Sequence, residues 1–494
     1  MKKYILTIDA GTTGLTVILF DDELKIVDKE YSELSQIYPK ENWVEHDPTE
    51  LIDKIELATE KITKKHFKKN ITSIGITNQR ETVVLWDKTT GKSLYNAIVW
   101  QDRRTDTYCN ELKVKGYEEF INQKTGLLLD PYFSSTKIRW IIDNVKGVKE
   151  GIDDNKVCAG TIDTWIIWHL TKGKVFATDL TNAARTNLFN IKDLKWDDDL
   201  LDLFGVNKSI LPDVQESDGF YGKSEALVKK IPIHGVIGDQ QSAAIGQKCF
   251  NVGDIKSTYG TGCFVIQNTG KEIAYSKNKL LSTIAYKVKG ETAYALEGSI
   301  FMAGAIIDWL NNNLQVFDNY SELDDILINA EINPEVVMVP AFTGLGAPHW
   351  KPDSRASISG LTRDTDKNDI IIASIQSVSL QTYDLIKAIH EDTHDLFKKS
   401  FQGIKVDGGM TDNQWFLQNL SDICETKIIK SSEQEATALG AATLSALGSN
   451  EIYELSEFNI NSNENVEFLP IIKKQLRSKI IKNWGTAINK TINN

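Results

Sequence analysis

Short apolar runs separated by turn residues open the chain and predict a β-meander. Apolar residues fill positions 4–8 and 16–20, and a third strand is expected to begin at Lys25. The turns between them fall at Gly11–Gly14 and at Asp21-Asp22. Alternation of short apolar runs with glycine and aspartate is typical of strands joined by tight turns.

The same pattern returns half a chain later. Residues 254–259 lead through Gly260-Thr261-Gly262 into a second apolar run at 263–268. Two Thr/Gly-rich turns, each between two short strands, favour two similar domains that meet face to face. We place the boundary near residue 250, which gives domains over 1–250 and 251–494, the second with a C-terminal helical tail.

Helical spacing of apolar positions predicts helices at 48–64, 368–394, 433–447 and 471–492. Asp47 stands at the N-cap position of the first of them, and Pro48 lies in its first turn. The helix at 433–447 is rich in alanine and glycine, so we expect it at the hinge between the domains or against a ligand, with ordinary tight packing as the alternative. A strand is expected at 403–406 and a surface connection at 448–467.

Polar side chains follow two of the predicted strands directly. Asn78-Gln79-Arg80-Glu81 comes after the apolar run 73–77, and Gly238-Asp239-Gln240-Gln241 comes after 231–237. Open α/β sheets bind ligands at such strand ends. An arginine, two carboxylates and several amides suit a small polyhydroxylated substrate, and one carboxylate could accept a proton from a hydroxyl. Either segment alone also fits a solvated loop at a strand end.

The first turn has the composition of a phosphate-binding loop. In Asp9-Ala10-Gly11-Thr12-Thr13-Gly14, glycine lets the backbone approach phosphate, and the turn amides and hydroxyls can donate to it. Asp9 could hold a hydrated Mg²⁺. The sequence contains neither a P-loop motif nor a Gly-x-Gly-x-x-Gly motif after a strand.

Composition and charge narrow the class of partners. The chain has 494 residues, a net charge of −12 and a pI near 5.3, which disfavours nucleic acid and anionic membranes. Its five scattered cysteines form no zinc-binding spacing and predict reduced, mostly buried thiols in a cytoplasmic protein. The first apolar run ends at Asp9, too short for a signal peptide, and no run approaches the roughly 18 apolar residues of a membrane span.

Several longer motifs identify a family resemblance. They are DAGTT at 9–13, GITNQRET at 75–82, NAIVWQDRRT at 96–105, DPYFSSTK at 130–137, GTIDTWIIW at 160–168, GDQQSA at 238–243, TYGTGCF at 258–264, PAFTGLGAPHW at 340–350 and VDGGMTDN at 406–413. With these motifs the chain resembles the glycerol kinases of the FGGY carbohydrate-kinase family. The resemblance implies an α/β fold with two ribonuclease-H-like domains of the actin/hexokinase ATPase type and an active-site cleft between them.

The resemblance also implies roles for individual residues. Asp239 matches the catalytic base, and Asp9 matches the Mg²⁺ site. Substrate contacts are implied for Arg80, Glu81, Trp100, Tyr132, Asp239, Gln240 and Phe264. Nucleotide contacts are implied for Thr12, Thr13, Gly14, Thr261, Gly262, Gly304, Asp308, Gly409 and Asn413. By their residue types alone, Trp100 and Phe264 fit core packing equally well, Gly304 and Gly409 fit tight turns, and Asn413 fits a helix cap.

Two positions depart from the family pattern. Most glycerol kinases carry an arginine at the position of Thr16, where it reaches the nucleotide phosphates. Loss of that guanidinium removes a charge-assisted contact of about 1.5–3 kcal/mol. Asp308 stands where glutamine is usual, which is expected to alter a nucleoside contact.

The reaction that the resemblance implies is transfer of a phosphoryl group from ATP, with Mg²⁺, to glycerol, giving sn-glycerol 3-phosphate. Two alternatives remain open at this stage. One is a kinase for another small polyol, such as erythritol or dihydroxyacetone, and the other is a weakly active relative that binds nucleotide and acts as a sensor. We expect a cytoplasmic protein with no nucleic-acid partner and no stable membrane insertion, and either a homodimer or a homotetramer as its assembly.

Overall fold

The computed structural model describes residues 2–227, 229–396, 402–431, 433, 435–457 and 465–493. In chain order, the first half forms β1 (Lys3–Ala10), β2 (Gly14–Asp21), β3 (Ile26–Glu33), β4 (Glu45–His46), α1 (Pro48–Lys65), β5 (Asn70–Asn78), β6 (Val83–Asp87), β7 (Ala97–Ile98), α2 (Asp106–Val114), α3 (Glu118–Thr125), α4 (Ser134–Asn144), α5 (Val148–Asp153), β8 (Val157–Thr161), α6 (Ile162–Leu170), β9 (Ala177–Asp179), α7 (Leu180–Ala183), β10 (Phe189–Asn190), β11 (Lys195–Trp196), α8 (Asp198–Phe204), β12 (Asp213–Gln215), β13 (Phe220–Lys223), β14 (Pro232–Gly238) and α9 (Asp239–Gly246).

The second half continues with β15 (Ile255–Tyr259), β16 (Cys263–Gly270), β17 (Leu281–Val288), β18 (Glu291–Ile300), α10 (Ala305–Asp308), α11 (Tyr320–Ile328), β19 (Val337–Val339), β20 (Ser357–Ser359), α12 (Lys367–Thr393), β21 (Ile404–Asp407), α13 (Gln414–Cys424), β22 (Ile428–Lys430), α14 (Ala436–Gly448), β23 (Val466–Phe468) and α15 (Lys474–Asn493). Among the described residues, no helix combines the length and the hydropathy that a membrane crossing requires.

The first large sheet begins with the predicted meander. Its strand order is β13-β14-β5-β1-β2-β3, in which β1, β2 and β3 are antiparallel and β5 and β14 run parallel to β1. Helix α1 begins as predicted, since the Asp47 carboxylate accepts a hydrogen bond of 2.8 Å from the Thr49 backbone N–H. Apolar side chains of α1 and of the strands pack together as the core of this half.

The second large sheet repeats this plan. Its order is β17-β18-β16-β15-β21-β22-β23, with antiparallel β15, β16 and β18 followed by β21 and β22 parallel to β15. The strand pair expected at 254–259 and 263–268 is therefore confirmed. Three antiparallel strands followed by parallel strands, present twice, give the predicted two-domain α/β fold.

The expected long helix and tail helix are present, and the described parts of the connection between 448 and 467 lie at the surface, as predicted. The connection ends in the exposed edge strand β23, which pairs antiparallel with β22 and was not predicted. Residues 458–464 of that connection lie outside the described residues. Helix α15 buries Ile480, Trp484 and Ile488 against the second half. All five cysteines are free and buried, as expected.

Helix α14 joins the two halves. It belongs to the second half by sequence but packs against α9, β14, β5 and β1 of the first. A Cβ built on Gly440 would stand 1.9 Å from the Ser242 carbonyl oxygen, so only glycine allows this approach. The tight packing that the sequence left open is thus observed, and a place at the hinge between the domains stays a prediction. The division at residue 250 stays a prediction, because α14 packs across it.

Candidate functional site

The two polar segments meet at one edge of the first sheet. Strands β5 and β14 run parallel, with Gly238 opposite Asn78, so the residues that follow each strand emerge side by side. Asp239 begins helix α9 at this edge, and Arg80 ends up 2% exposed beneath it. The convergence expected from the strand ends is therefore present.

A cleft of about 1720 Å³ opens from this edge between the two halves. Among the residues that line it are many of the predicted site residues: Thr12, Thr13, Arg80, Glu81, Trp100, Tyr132, Asp239, Gln240, Thr261, Gly262 and Phe264. All of the predicted substrate contacts are in this set. A cleft larger than the roughly 300–1,000 Å³ of usual ligand pockets has room for two substrates.

The remaining predicted residues lie behind the cleft or beyond its lining. The Gly14 carbonyl accepts a 2.9 Å hydrogen bond from the Gly11 N–H, which closes the first Thr/Gly turn. The Gly304 N–H donates 2.9 Å to the Gly260 carbonyl and so supports the second turn. Asp308 and Gly409 are exposed. Their nucleotide contacts stay predictions, as does the Mg²⁺-binding role of Asp9, a partly buried residue.

Asn413 caps a helix in this structure. Its side-chain oxygen accepts a 2.7 Å hydrogen bond from the Phe416 N–H at the start of α13, and its amide donates 2.7 Å to Asp324. The cap reading that the sequence left open is therefore observed, and a nucleoside contact would have to compete with Asp324.

Arg80 is held by a residue that the sequence reasoning did not find. Its two terminal nitrogens donate to the two carboxylate oxygens of Glu297, at 2.6 and 2.9 Å. Its Nε lies 3.1 Å from Oδ1 of Asp239, and Nη1 also donates 3.0 Å to Gln241. Glu297 was detectable as a lone acidic residue inside the apolar run 293–300, a position at which a charge needs a partner.

Arg185 is the second residue of this network that the sequence did not indicate. It follows α7, is fully buried, and donates 2.5 Å to Glu81 and 3.1 Å to Glu297. Glu81 has a φ of +62°, a left-handed backbone conformation that is uncommon for a non-glycine residue and often marks a functional site. No local sequence signal pointed to Arg185.

Comparison with known proteins assigns the family. The model of the FGGY family of carbohydrate kinases matches this chain twice, its N-terminal domain over residues 4–246 and its C-terminal domain over residues 255–449. The chain belongs to the FGGY family of carbohydrate kinases.

Full-length relatives refine this assignment. This FGGY kinase is 46% identical to a glycerol kinase of Clostridium botulinum strain 657 and 45% identical to a glycerol kinase of Sinorhizobium fredii; each match covers 100% of this chain and 99% of the relative. A crystal structure of Plasmodium falciparum glycerol kinase with ADP superimposes with a TM-score of 0.93 at 39% identity, covering 99% of this chain and 98% of that one. A xylulose kinase from Lactobacillus acidophilus, at 22% identity and a TM-score of 0.86, shows the same fold.

Two carboxylates at this cleft have pKa values that differ from the ordinary values of their side chains. Burial raises the pKa of Asp239, and Arg80, the Gln240 N–H and Lys256 act against that rise. Burial would also raise the pKa of Glu297, but Arg185 and Arg80 outweigh it and hold that pKa at about 2. Asp239 therefore keeps some basicity, whereas Glu297 stays ionised.

Asp9 has the environment of a cation ligand. Burial, with the neighbouring carboxylates of Asp239 and Glu435, raises its pKa to about 8. Within the described ranges no N–H or O–H donates a hydrogen bond to its carboxylate. A desolvated carboxylate without a donor fits a site that a cation completes. No group of three or more acidic, histidine or cysteine side chains that could cage a metal occurs among the described residues, so the fit is to Mg²⁺ held chiefly by water and phosphate.

Aromatic side chains connect the two sides of the cleft. The Trp100 Nε1 donates a 2.8 Å hydrogen bond to the Thr12 hydroxyl, which leaves the Thr12 proton free to donate elsewhere. The Trp100 ring meets those of Tyr132 and Phe264 edge to face, with centroids 5.6 and 6.1 Å apart. Both Trp100 and Phe264 line the cleft as well as packing.

Thr16 lies beside Asp9 on the first sheet. The two residues are cross-strand partners, and Tyr31 of β3 is the partner of Thr16 on the other side. Lys29 projects from the same face of β3 two residues away, forms an ion pair with Glu435 and acts electrostatically on Asp9. A cation is therefore near the position at which the family arginine is missing.

Proposed function

We propose that this FGGY kinase transfers the γ-phosphoryl group of ATP to a terminal hydroxyl of glycerol, giving sn-glycerol 3-phosphate. The observation that carries the proposal is the pairing of Arg80 with Asp239 at the strand edge, in a cleft that also holds both Thr/Gly turns. Identity of 45–46% over the full length of named glycerol kinases supports the same activity.

The polyol side of the site supplies complementary donors and acceptors. Arg80 and Gln240 offer N–H donors, and Glu81 offers a carboxylate acceptor to adjacent hydroxyls. Asp239 accepts the proton of the attacking hydroxyl, as its raised pKa favours. Trp100 and Phe264 cover the C–H face of a short carbon chain.

The nucleotide side supplies backbone and hydroxyl donors from two Thr/Gly turns. Thr12, Thr13 and Gly14 on one side and Thr261 and Gly262 on the other would contact the phosphates of ATP, with Gly304, Asp308, Gly409 and Asn413 toward the nucleoside. Asp9 would hold Mg²⁺, which when bound neutralises charge on the transferred phosphoryl group. The similar glycerol kinase of Plasmodium falciparum was crystallised with ADP, which supports ATP as the phosphoryl donor.

The alternatives are less well supported. The rings of Trp100, Tyr132 and Phe264 pack edge to face at one wall of the cleft, which favours a short carbon chain over the longer chain of erythritol. A nucleotide-binding sensor without turnover would not need the aligned Arg80, Glu81 and Asp239. We also propose a cytoplasmic location and a homodimeric or homotetrameric assembly.

One assay separates these proposals. ADP production by the purified protein, coupled to NADH oxidation, would be followed with MgATP and each of glycerol, erythritol and dihydroxyacetone, with ³¹P NMR of the products. We expect the highest kcat/KM with glycerol and a phosphomonoester at a terminal carbon. A higher kcat/KM with erythritol or dihydroxyacetone would reassign the substrate, and ATP binding without turnover on any acceptor would favour the sensor.

A further inference from the structure

Glu297 is a fully buried carboxylate inside a central strand. It lies on β18 of the second half, paired across the sheet with Leu281 and Ile266, and it is 0% exposed. A carboxylate in such surroundings is costly unless cationic donors satisfy it. Something other than sheet stability must therefore account for an acidic residue here.

Both cationic partners of Glu297 come from the other half of the molecule. Arg80 donates to both carboxylate oxygens of Glu297, at 2.6 and 2.9 Å, and Arg185 donates to Oε1 of Glu297 at 3.1 Å. Each arginine then holds a second carboxylate: Arg80 reaches Asp239 at 3.1 Å, and Arg185 reaches Glu81 at 2.5 Å. Glu297 is thus the common partner of two arginines that each hold one acidic residue of the cleft.

The members of this network differ in whether they line the cleft. Glu81, Asp239 and Arg80 line it, and Glu297 is not among the described lining residues. Glu297 therefore acts, if at all, through the arginines. Glu297 accepts hydrogen bonds from both terminal nitrogens of Arg80. Asp239 therefore contacts the Arg80 guanidinium at Nε.

We propose that Glu297 is a positioning residue for the phosphoryl acceptor. It holds Arg80 and Arg185 in the one arrangement that presents Asp239 and Glu81 to substrate hydroxyls. This inference rests on the proposed function and adds to it a residue that does not touch the substrate. Without Glu297, the terminal nitrogens of Arg80 would pair with the nearby Asp239 and Glu81, and these carboxylates would no longer be available to hydroxyls. Because Glu297 and the arginines belong to different halves, the acceptor site is complete only when the halves are apposed.

The test compares Glu297→Gln with Glu291→Gln. Gln keeps the shape of the side chain and removes its charge. Glu291 lies on the same strand, is exposed, and forms a surface ion pair of 3.3 Å with Lys271. We expect Glu297→Gln to raise the KM for glycerol and to lower kcat by about tenfold or more each, with the KM for MgATP changed less than about twofold. Glu291→Gln should match the wild type in all three.

A double variant separates positioning from general loss of packing. If Glu297 acts through Arg185, then Glu297→Gln combined with Arg185→Gln should cost less than the sum of the two single changes in kcat/KM for glycerol. Calorimetric titration with glycerol, in the absence of nucleotide, gives the same comparison without turnover. Melting temperatures of all variants identify those that fold.

The outcomes are distinct. Three results would overturn the positioning role. The first two are equal changes in the KM values for glycerol and MgATP, and additivity of the two single changes in kcat/KM for glycerol. The third is unaltered glycerol kinetics in a folded Glu297→Gln variant. If that variant does not fold, Glu297→Asp is judged by the same criteria, and failure of both to fold would assign Glu297 to structure alone. Absence of turnover in the wild type and in Glu291→Gln would instead reject the proposed function.

Discussion

The Nζ of Lys256 donates a 2.6 Å hydrogen bond to Oε1 of Gln240. Lys256 lies on β15 of the second half and is fully buried, and Gln240 lies on α9 of the first. The same ammonium donates 2.7 Å to the Thr258 hydroxyl. Because an ammonium has only donors, it fixes the Gln240 amide with its oxygen inward, and the NH₂ group is left to donate into the cleft.

Lys256→Met should therefore weaken glycerol binding. The change frees the Gln240 amide to rotate and leaves two acceptors without a donor, at a cost of about 1–3 kcal/mol. We expect the KM for glycerol to rise about tenfold and the KM for MgATP to change less, as measured in the coupled assay. Lys271→Met, on an exposed lysine of the same half, is the control. An unchanged glycerol KM would mean that Gln240 does not contact the acceptor.

Asp239→Asn should lower kcat by roughly 10²–10⁴-fold, the usual scale for loss of a general base. Glycerol binding should survive in part, since the amide can still hydrogen-bond a hydroxyl. Asp213→Asn, at an exposed residue of β12, should leave kcat unchanged. Near-normal turnover of Asp239→Asn would remove Asp239 from the role of base.

The pH dependence follows from the same residue. Only ionised Asp239 accepts a proton, and burial raises its pKa above the ordinary aspartate value, against the opposing charges of Arg80 and Lys256 and with the help of Glu297. Activity should therefore fall as the pH falls through this raised pKa, so the acid limb of kcat/KM should lie above about pH 3.9. That limb should be missing from the residual activity of Asp239→Asn. An identical limb in both proteins would assign it to another group.

Lys29→Met should raise the KM for MgATP, because Lys29 is a cation beside Asp9 where the family arginine is absent. Thr16→Arg should recover that loss, lowering the KM by up to about tenfold if roughly 1.4 kcal/mol is regained. In the wild-type background the gain from Thr16→Arg should be smaller, since two cations would repel each other. Lys25→Met, on an exposed lysine of the same meander, is the control. Changes confined to the glycerol KM would place Thr16 on the acceptor side.

Gly409→Ala tests the nucleoside side without disturbing the fold. A Cβ built on Gly409 meets no atom within 4 Å, so we expect no loss of stability. If the nucleoside packs there, the KM for MgATP should rise up to about tenfold, with the glycerol KM unchanged. Gly485→Ala, which also meets nothing within 4 Å but lies in α15, should alter neither KM. An unaltered KM for MgATP in Gly409→Ala would mean that the nucleoside does not pack against Gly409.

Local patterns in the chain were enough to predict much of this molecule. The β1–β3 meander, the Asp47 cap, the paired Thr/Gly turns and the polar residues after β5 and β14 all depend on neighbours in sequence. Periods of two and 3.6 residues, turn composition and capping chemistry act over a few residues, so they can be recognised without the fold. The family motifs in addition predicted many of the residues that line the cleft.

Only the tertiary structure decided how those residues are held. Glu297 and Arg80 are 217 positions apart and pair only because the two halves face each other. The same is true of Lys256 with Gln240, and of α14, which follows the second sheet in sequence but packs on the first. Whether a buried charge finds its partner is set by apposition of distant strands, which no local period encodes. The sequence by itself therefore predicted many of the groups that line the cleft, and the packing of the two halves determined their geometry and their pKa values.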